Sequence, residues 1–311
     1  MNITRRLAAL LGMLLVGALP AVGQQRLPII DMHMHPQAKV LRDGKPLPIP
    51  CDPQPCVERP TAAVSNDDNL RQTLAAMDRY NVVKGFLSGS SQAVQRWVDA
   101  SPGRFIASPG FNQPNLSLDA LRAEYAGGRL GGMGEIGTQY SGIAPNDPRL
   151  EPYFALAEEV DVPVLIHTLG FGAHTSGFRS AVGNPLLLED VLVRHPKLRL
   201  YVENAGYPFL AEMVSLMYQY PQLHADVSTI TWIIPREAFH DYLRGLIRAG
   251  LGKRIMFGTD QMQWPETVGL AVDAIESAEF LTVEQKRDIF YNNAARFLRL
   301  SETEIAKHHG R

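Results

Sequence analysis

The sequence predicts an α/β fold of the (β/α)₈ TIM-barrel type, formed by a single domain that follows an N-terminal signal peptide. Short β-branched or apolar segments alternate with longer amphipathic segments from Pro28 onward, a pattern typical of repeated βα units. Eight such strands can be counted, and no long Gly/Ser linker interrupts them. An open doubly wound sheet would alternate in the same way. The strand count favours the barrel, as does the lack of a glycine-rich turn after the first strand.

Residues 1–23 have the organisation of a secretory signal peptide. Arg5 and Arg6 form a basic start, Leu7–Leu19 an apolar stretch, and AVG (21–23) a cleavage site of small residues. The apolar stretch of about 13 residues is shorter than the roughly 20 that cross a bilayer, which argues against a membrane anchor. We therefore expect cleavage before Gln24 and a periplasmic or extracellular protein that is not attached to the membrane.

The composition is that of an ordinary globular domain. Hydrophobic residues make up 45% and charged residues 20% of the chain, which excludes a disordered or fibrous protein. Loss of Arg5 and Arg6 with the leader changes the formal charge from −2 to −4, whereas a nucleic-acid-binding domain would carry a basic patch that neutralises phosphates. We expect a small-molecule substrate and no nucleic acid as partner; a homo-oligomer is compatible with this composition.

The barrel domain is predicted at 24–300, with a C-terminal tail at 301–311. Its strands are rich in Val, Ile, Leu and Phe, and they are PIID (28–31), VVKGFLS (82–88), RFIASPG (104–110), LGGMGEIG (130–137), VPVLIHT (162–168), LRLYVEN (198–204), LHADVST (223–229) and RIMFGTD (254–260). Amphipathic spacing predicts helices between and after them, at Asp67–Tyr80, Leu118–Ala126, Arg149–Val160, Asn184–Arg194, Phe209–Tyr220, Arg236–Ala249 and Val283–Leu300. The proline-rich segment at about 36–65 follows the first strand, so in a barrel it can cover the catalytic face.

The two cysteines, Cys51 and Cys56, lie within this proline-rich segment. Export to an oxidising compartment permits a disulfide between them, which would pin one loop. Free thiols are the alternative. A zinc site is disfavoured because a structural site of four ligands needs a second pair, which this chain lacks.

Five polar residues fall at or just past the C-terminal ends of predicted strands: His33, His35, Glu135, His167 and Asp260. Active sites of such barrels are built at that end. Imidazoles and carboxylates together form a donor set that suits zinc or another first-row divalent ion, with Mn²⁺ as the alternative to Zn²⁺. The joint placement predicts a metal centre, although Glu135 alone is equally typical of a buried ion pair and Asp260 of a helix N-cap.

The His33–Met34–His35 pair is a weak motif by itself. Residues two apart in a strand point the same way, so both imidazoles face one side while Met34 faces the other. The remaining histidines lie on predicted helices, at the start of the seventh strand or in a C-terminal tail that we expect to be frayed, and are interpreted as structural or solvated: His195, His240, His224, His308 and His309. His174, in the loop after the fifth strand, is a candidate substrate contact.

Several segments together resemble the amidohydrolase-related family that includes aminocarboxymuconate semialdehyde decarboxylase. They are IIDMHMHP, GEIG of the fourth strand, LIHT of the fifth, ENAGYP after the sixth and MFGTDQMQWPE after the eighth. The similarity extends from about 27 to 300. It implies that His33, His35, His167 and Asp260 are metal ligands, with Asp260 also exchanging a proton with water. Glu135 matches the position where superfamily members with two metals place a bridging lysine or glutamate.

One position departs from the family pattern. The family usually carries histidine at the end of the sixth strand, as a proton shuttle or further ligand, and here Asn204 stands there, preceded by Glu203. Asparagine does not exchange a proton near neutral pH. Either Glu203 or Asp260 carries the acid–base role, or Asn204 orients a carbonyl by hydrogen bonding, or the protein is inactive.

Aromatic residues also follow the strands, and each is a candidate substrate contact or simply a loop-packing residue. They are Tyr140, Tyr207, Trp232 and Trp264.

Three functions are compatible with these residues. The first is hydrolysis of a small carbonyl compound (a lactone, amide or ester) by metal-activated water, with Asp260 as proton acceptor. The second is metal-dependent decarboxylation of a small carboxylic acid, as the resemblance implies. The third is an inactive barrel that binds a ligand. An exported protein more often degrades what it meets outside the cell, so hydrolysis is favoured.

Overall fold

A computed structural model describes residues 26–36, 41–42, 44–54, 56–57, 59–172 and 176–310. The predicted leader at 1–23 and the candidate contact His174 lie outside the described residues. Across the described ranges, no helix is both long and apolar enough to span a bilayer.

The parallel strands of a barrel form at all eight predicted places. They are β1 (Ile29–Met34), β2 (Val82–Gly89), β3 (Phe105–Pro109), β4 (Met133–Ile136), β5 (Val164–Ile166), β6 (Leu200–Val202), β7 (His224–Asp226) and β8 (Ile255–Met256). Sequential neighbours pair within β1–β2–β3 and within β4–β5–β6–β7–β8. Ile166 of β5, for example, pairs with Ile136 of β4 and Val202 of β6.

Backbone hydrogen bonds join the two groups of strands at both seams. At one seam, the Phe111 N–H donates to the Glu135 carbonyl at 2.9 Å. At the other, the Met32 N–H donates to the Phe257 carbonyl at 2.9 Å, and the Asp260 N–H donates to the His33 carbonyl at 2.7 Å. The sheet is therefore a closed barrel, and the predicted α/β TIM-barrel fold is confirmed against the open-sheet alternative.

Helices surround the barrel. They are α1 (Asn66–Tyr80), α2 (Ser91–Ala100), α3 (Leu118–Ala126), α4 (Glu151–Glu159), α5 (Glu189–Arg194), α6 (Leu210–Gln219), α7 (Ile230–Ile233), α8 (Arg236–Arg248), α9 (Thr267–Glu276), α10 (Val283–Arg287), α11 (Asn293–Phe297) and α12 (Glu302–His308). Helices α2, α7, α9 and α12 were not predicted. The predicted helix Val283–Leu300 is interrupted by a π-helical turn at Asp288–Asn292.

The prediction of a frayed tail at 301–311 is wrong for α12. The Ser301 hydroxyl accepts the Glu304 N–H at 3.2 Å, and the Glu304 carboxylate accepts the Ser301 N–H at 3.0 Å. These reciprocal bonds form a capping box, which satisfies free amide donors at the start of a helix. His308 also contacts Tyr291 at 2.9 Å.

The core has two layers. Inside the barrel lie apolar side chains such as Ile30, Met32 and Tyr201, whereas Met34 belongs to the larger layer between strands and helices. Strict alternation would place Met32 and Met34 on the same side of β1. The register of β1 against β2 shifts between Asp31 and Met34, and such a bulge re-aims the side chains that follow it. His33 and His35 therefore both turn towards the barrel mouth.

The described residues of the proline-rich segment contact the loops that follow β7 and β8, at the end of the barrel where the sequence predicted this segment to lie. Asp52 N–H donates to the Ile233 carbonyl at 2.7 Å, and the Arg59 guanidinium to the Trp232 carbonyl at 2.7 Å. A disulfide joins Cys51 and Cys56, which settles the alternatives that the sequence left open. We call the described residues between 44 and 63 the strap.

Candidate metal centre

All five predicted donor residues meet at the C-terminal end of the barrel. His33 lies within β1 and His35 directly after it, Glu135 lies in β4, His167 follows β5 directly, and Asp260 follows β8. Each of the three imidazoles is buried. Four of the eight strands thus deliver these side chains to one place, as parallel strands of a barrel do.

The first group of donors is centred on His35. Its Nε2 lies 3.0 Å from His33 Nε2, 3.2 Å from Glu135 Oε2 and 3.3 Å from Asp260 Oδ1. The His35 Nδ1–H donates to the Ser88 carbonyl at 2.8 Å, which fixes the tautomer because that carbonyl can only accept. The Nε2 lone pair of His35 therefore faces the group.

The second group of donors is centred on His167. Its Nδ1 lies 3.0 Å from Glu135 Oε1 and 3.0 Å from Glu203 Oε2. Glu135 therefore belongs to both groups, with one oxygen directed to each histidine. The resemblance implied one ligand set containing His167 beside His33 and His35. Glu135 contacts both His167 and His35, and Glu203 Oε1 also lies 3.4 Å from His33 Nε2.

Burial and charge shift the pKa values of these groups in opposite directions. Burial, together with Glu135, Asp226 and Asp260, raises the pKa of Glu203 well above its usual range. Burial alone would raise the pKa of Asp260, but its interactions with His33 and His35 outweigh burial. The pKa of Asp260 is therefore lowered. Asp260, Asp226 and Glu135 overcome the effect of burial on His33 and raise its pKa to about 9.

The pKa of Glu135 is lowered. Burial alone would raise it, but the hydrogen bond with His167 and the charges of the histidines outweigh burial. Glu135 is therefore the more readily ionised of the two glutamates that contact His167.

Four donor atoms of this centre are buried and lack a hydrogen-bond partner among the described residues: His167 Nε2, Glu203 Oε1, Asp226 Oδ2 and Asp260 Oδ1. Buried polar atoms without partners cost free energy, and native proteins carry few of them. All four can present lone pairs of nitrogen or oxygen, the donors that zinc and manganese take in proteins. The residues present therefore fit a divalent cation.

Left-handed backbone positions the donors of β6 and β8. Positive φ values occur at Asn204 (56°), Ala205 (47°) and Asp260 (48°). Such conformations cost roughly 1–3 kcal/mol for residues other than glycine and persist where surrounding contacts hold them. In β4, Gly134 has φ 102°, and a Cβ there would lie 2.1 Å from the Leu165 carbonyl oxygen. Only glycine fits before Glu135.

The predicted aromatic contacts separate into two kinds. The Tyr140 ring lies 4.6 Å from the His167 ring, so it borders the centre. The Tyr207 ring packs against Phe171 and Tyr242. Trp264 is buried and donates its indole N–H to the Leu47 carbonyl of the strap at 3.0 Å, which favours the loop-packing alternative for this residue.

Trp232 makes the same kind of contact as Trp264, donating its indole N–H to the Thr259 carbonyl at 2.7 Å.

The histidines interpreted as structural make structural contacts. His195 bonds Glu151 and Glu158 at 2.9 and 3.0 Å, and His240 bonds the Ala274 carbonyl.

Sequence reasoning missed Asp226 and Ser228. Both are fully buried beside His33: Ser228 Oγ lies 2.8 Å and Asp226 Oδ2 3.6 Å from His33 Nδ1. The signal was present, because Asp226 ends β7 and Ser228 follows two residues later, at the end of the barrel that carries the other donors. Asn204 also lies here, and its contacts are to Asp226, Ser228 and Thr229.

Comparison with known proteins adds the family. A family profile described as Amidohydrolase matches residues 30–300. One curated relative, protein fluG of Emericella nidulans, is 24% identical over 156 residues, which are 45% of this chain. The matched part covers 18% of the length of fluG.

Solved structures share the fold at low identity. A probable 2-pyrone-4,6-dicarboxylic acid hydrolase from Acinetobacter baumannii, with citric acid bound, is 14% identical, with 88% of this chain and 100% of that chain covered and a TM-score of 0.61. An amidohydrolase from Burkholderia multivorans with bound zinc is 16% identical, with coverage of 88% and 100% and a TM-score of 0.59. The 5-carboxyvanillate decarboxylase of Sphingomonas paucimobilis is 18% identical, with coverage of 73% and 82% and a TM-score of 0.51.

The predicted resemblance is thus confirmed at the level of family and fold. Hydrolases and decarboxylases both occur among the structures of similar fold, so the fold alone does not determine which reaction is catalysed. Because the family match spans most of the chain and coincides with a closed barrel carrying its polar cluster at the strand ends, this protein belongs to the amidohydrolase family of enzymes.

Proposed function

We propose that the protein is a metal-dependent hydrolase that acts on a small, uncharged carbonyl compound such as a lactone, an amide or an ester. The observation that carries this proposal is the buried cluster in which Glu135 is shared by two groups of nitrogen and oxygen donors. A divalent ion at such a site makes water a nucleophile at neutral pH and polarises a carbonyl group.

Charge supports more than one ion. Four carboxyl groups face the centre: Glu135, Glu203, Asp226 and Asp260. When all are ionised and the histidines are neutral, as ligation requires, one divalent cation leaves two negative charges buried and two cations leave none. Uncompensated buried charge is costly. We assign the first ion to His33, His35, Glu135 and Asp260, and the second to Glu135, His167 and Glu203.

The ions are proposed to be Zn²⁺, with Mn²⁺ as the alternative. The donor set mixes imidazole nitrogen with carboxylate oxygen, which suits either metal. The buried position of the donors limits access of solvent water, which strengthens electrostatic interactions there.

Asp260 is proposed as the proton acceptor. Its pKa is lowered by His33 and His35 despite burial, so it stays ionised near neutral pH. The Thr229 hydroxyl donates to its Oδ2, which leaves Oδ1 directed at the histidine pair. A carboxylate held in this way can take a proton from water and return it to a leaving group.

The charge of the centre favours hydrolysis over decarboxylation. Within the described ranges, no arginine or lysine pairs with Glu135, Glu203, Asp226 or Asp260. Carboxylate substrates are commonly held by bidentate arginine contacts, and the ion pairs of these four carboxyl groups include none. A neutral carbonyl compound does not need such a contact.

We also propose export to the periplasm or beyond, on the basis of residues 1–23. The proposal of a small-molecule substrate rests on the chemistry of the residues at the centre. N-terminal sequencing of protein recovered from the periplasmic fraction tests the leader. The expected mature N-terminus is Gln24; a cytoplasmic protein that retains residues 1–23 would contradict export.

Metal content and turnover test the function. Purified mature protein is analysed for bound metals, stripped with a chelator, reloaded with Zn²⁺ or Mn²⁺ and assayed on a panel of lactones, amides, esters and carboxylic acids. We expect two ions per chain and hydrolysis of a neutral substrate. Glu203→Gln is expected to keep one ion, whereas Glu158→Gln, which alters a glutamate bonded to His195, keeps both.

Three outcomes contradict this proposal in different ways. Release of CO₂ from an acid, without hydrolysis of any neutral compound, would make the protein a decarboxylase. Stoichiometric metal without turnover on a broad panel would favour an inactive ligand-binding barrel. No bound metal under any loading condition would remove the metal centre altogether.

A further inference from the structure

A chain of buried hydrogen bonds runs from Asp226 through Ser228 to His33. Ser228 Oγ lies 2.5 Å from Asp226 Oδ1 and 2.8 Å from His33 Nδ1. Asp226 and Ser228 are fully buried, and 1% of His33 is exposed. Water therefore does not compete for these bonds.

The chain has one consistent direction. A serine hydroxyl has one proton to donate, and an ionised carboxylate can only accept. The Ser228 O–H therefore donates to Asp226 Oδ1, and a lone pair of Ser228 Oγ accepts the His33 Nδ1–H. This arrangement leaves His33 Nε2 as the atom that faces His35 and Asp260, at 3.0 and 3.7 Å.

Asn204 makes further contacts with this chain of hydrogen bonds. Its backbone N–H donates to Asp226 Oδ1 at 3.1 Å, and its side-chain Oδ1 accepts the Thr229 N–H at 3.1 Å. Asparagine adopts the left-handed conformation more readily than most residues, which suits the φ of 56° observed here. The residue that departs from the family pattern thus has a defined place in this network.

Close packing leaves the residues of this hydrogen-bond chain little freedom to rearrange. A Cβ on Gly258 would lie 3.0 Å from His33 Cβ and 3.1 Å from Ser228 Cβ. The backbone after β8 therefore presses against both residues, and a larger residue at Gly258 would push them apart.

We propose that Asp226 and Ser228 are positioning residues that hold the His33 imidazole with Nε2 available to an ion, and that Asn204 positions the pair. The inference rests on the metal centre proposed above. Hydrogen-bond partners of this kind orient metal-ligating histidines, and their loss typically weakens metal binding roughly 10–100-fold.

Cobalt binding by the full mature protein tests the proposal. Native protein, Ser228→Ala and Asp226→Asn are stripped of metal and titrated with Co²⁺ against a competing chelator, while the visible absorption of the bound ion is recorded. We expect Ser228→Ala to bind Co²⁺ about 10–100-fold more weakly with an altered spectrum. Asp226→Asn preserves the shape of the side chain and is expected to show a smaller change in the same direction.

Thr73→Val is the matched control. Thr73 is fully buried in α1, and its hydroxyl bonds Asn69 rather than the centre, so the variant removes a buried hydroxyl without touching His33. We expect it to bind Co²⁺ as the native protein does. Circular dichroism verifies that each variant is folded; if Ser228→Ala does not fold, Ser228→Cys, whose thiol is a weak hydrogen-bonding group of similar size and no charge, takes its place.

The outcomes distinguish this inference from the function it rests on. Native affinity and a native spectrum in both Ser228→Ala and Asp226→Asn would overturn the positioning role and leave the metal centre intact. Failure of the native protein to bind Co²⁺ would overturn the metal centre, and the positioning role with it.

Discussion

The Nε2 atoms of His33 and His35 lie 3.0 Å apart. The Nδ1 atom of each ring is already bonded, to Ser228 Oγ and to the Ser88 carbonyl. Two nitrogen lone pairs at this distance repel unless a proton or a cation lies between them. Nearby carboxylates, Asp260 first among them, overcome burial and raise the pKa values of both histidines, which shows how strongly this position attracts positive charge.

Replacement of one histidine is expected to remove the first ion. His35→Gln removes an imidazole from the first donor group, and we expect metal analysis to find one ion fewer per chain than in the native protein. His195→Gln is the matched control, because His195 is also buried but bonds Glu151 and Glu158. Equal metal content in native protein and His35→Gln would contradict the assignment.

Metal is expected to raise the melting temperature. Binding to the folded state alone stabilises a protein by about 2.7 kcal/mol when the free ion is at 100 times its Kd. Here an ion also relieves the mutual repulsion of Glu135, Glu203 and Asp260. Thermal melts with chelator and with increasing Zn²⁺ measure the shift; identical melting temperatures throughout would argue against a metal centre.

Acid is expected to destabilise the protein partly through His224. Burial, with the charges of Arg254 and Arg296, lowers its pKa from 6.5 to about 4. Between these values the unfolded chain binds a proton that the folded protein does not. Stability from this residue is therefore complete above pH ~6.5 and declines by about 3 kcal/mol as the pH falls towards ~4.

The variant His224→Asn isolates this contribution, since its amide can still donate to the Gln222 carbonyl that His224 bonds. Urea unfolding of both proteins at pH 7 and pH 4.5 gives the comparison. We expect the native protein to lose more stability than the variant across this interval; equal losses would show that His224 does not titrate as described.

The Cys51–Cys56 disulfide is expected to contribute modestly to stability. It closes a short loop. In the chain-entropy description, a disulfide that closes a loop of six residues lowers the entropy of the unfolded chain, which adds about 2 kcal/mol to the free energy of unfolding. The strap is also held by Asp52 and Arg59. We expect the double variant Cys51→Ser/Cys56→Ser to fold with a free energy of unfolding lower by about 2 kcal/mol or less; unfolding at room temperature would show that the strap depends on the disulfide.

Asn204→His is expected to impair the protein rather than restore a family activity. Asn204 Oδ1 accepts the Thr229 N–H and lies 3.1 Å from Ser228 Oγ, and an imidazole does not reproduce these contacts. Leaving a buried donor unsatisfied costs about 1–3 kcal/mol. Denaturant unfolding and turnover of the native substrate class measure both effects, and a large gain in turnover would indicate that the native protein is an inactive relative.

The alternation of apolar strands and amphipathic helices, read from the sequence alone, was enough to predict the eight-stranded barrel and the place of each strand. The same order placed His33, His35, Glu135, His167 and Asp260 at the C-terminal strand ends. This succeeded because strand period and chain direction are local properties, and because a closed parallel barrel brings every strand end to one face. Short elements such as α7 and α12 were not predicted, because a periodic pattern that covers only a few residues is too weak to recognise.

Only the tertiary structure decided which donors meet. His167 contacts Glu135 and Glu203, Asp226 and Ser228 reach His33 from another strand, and Trp264 contacts the strap. The bulge in β1 and the left-handed residues after β6 and β8 set these directions. A sequence shows which strand end a side chain occupies; the distances between strand ends depend on barrel closure and on backbone turns that are held by contacts far apart in the chain.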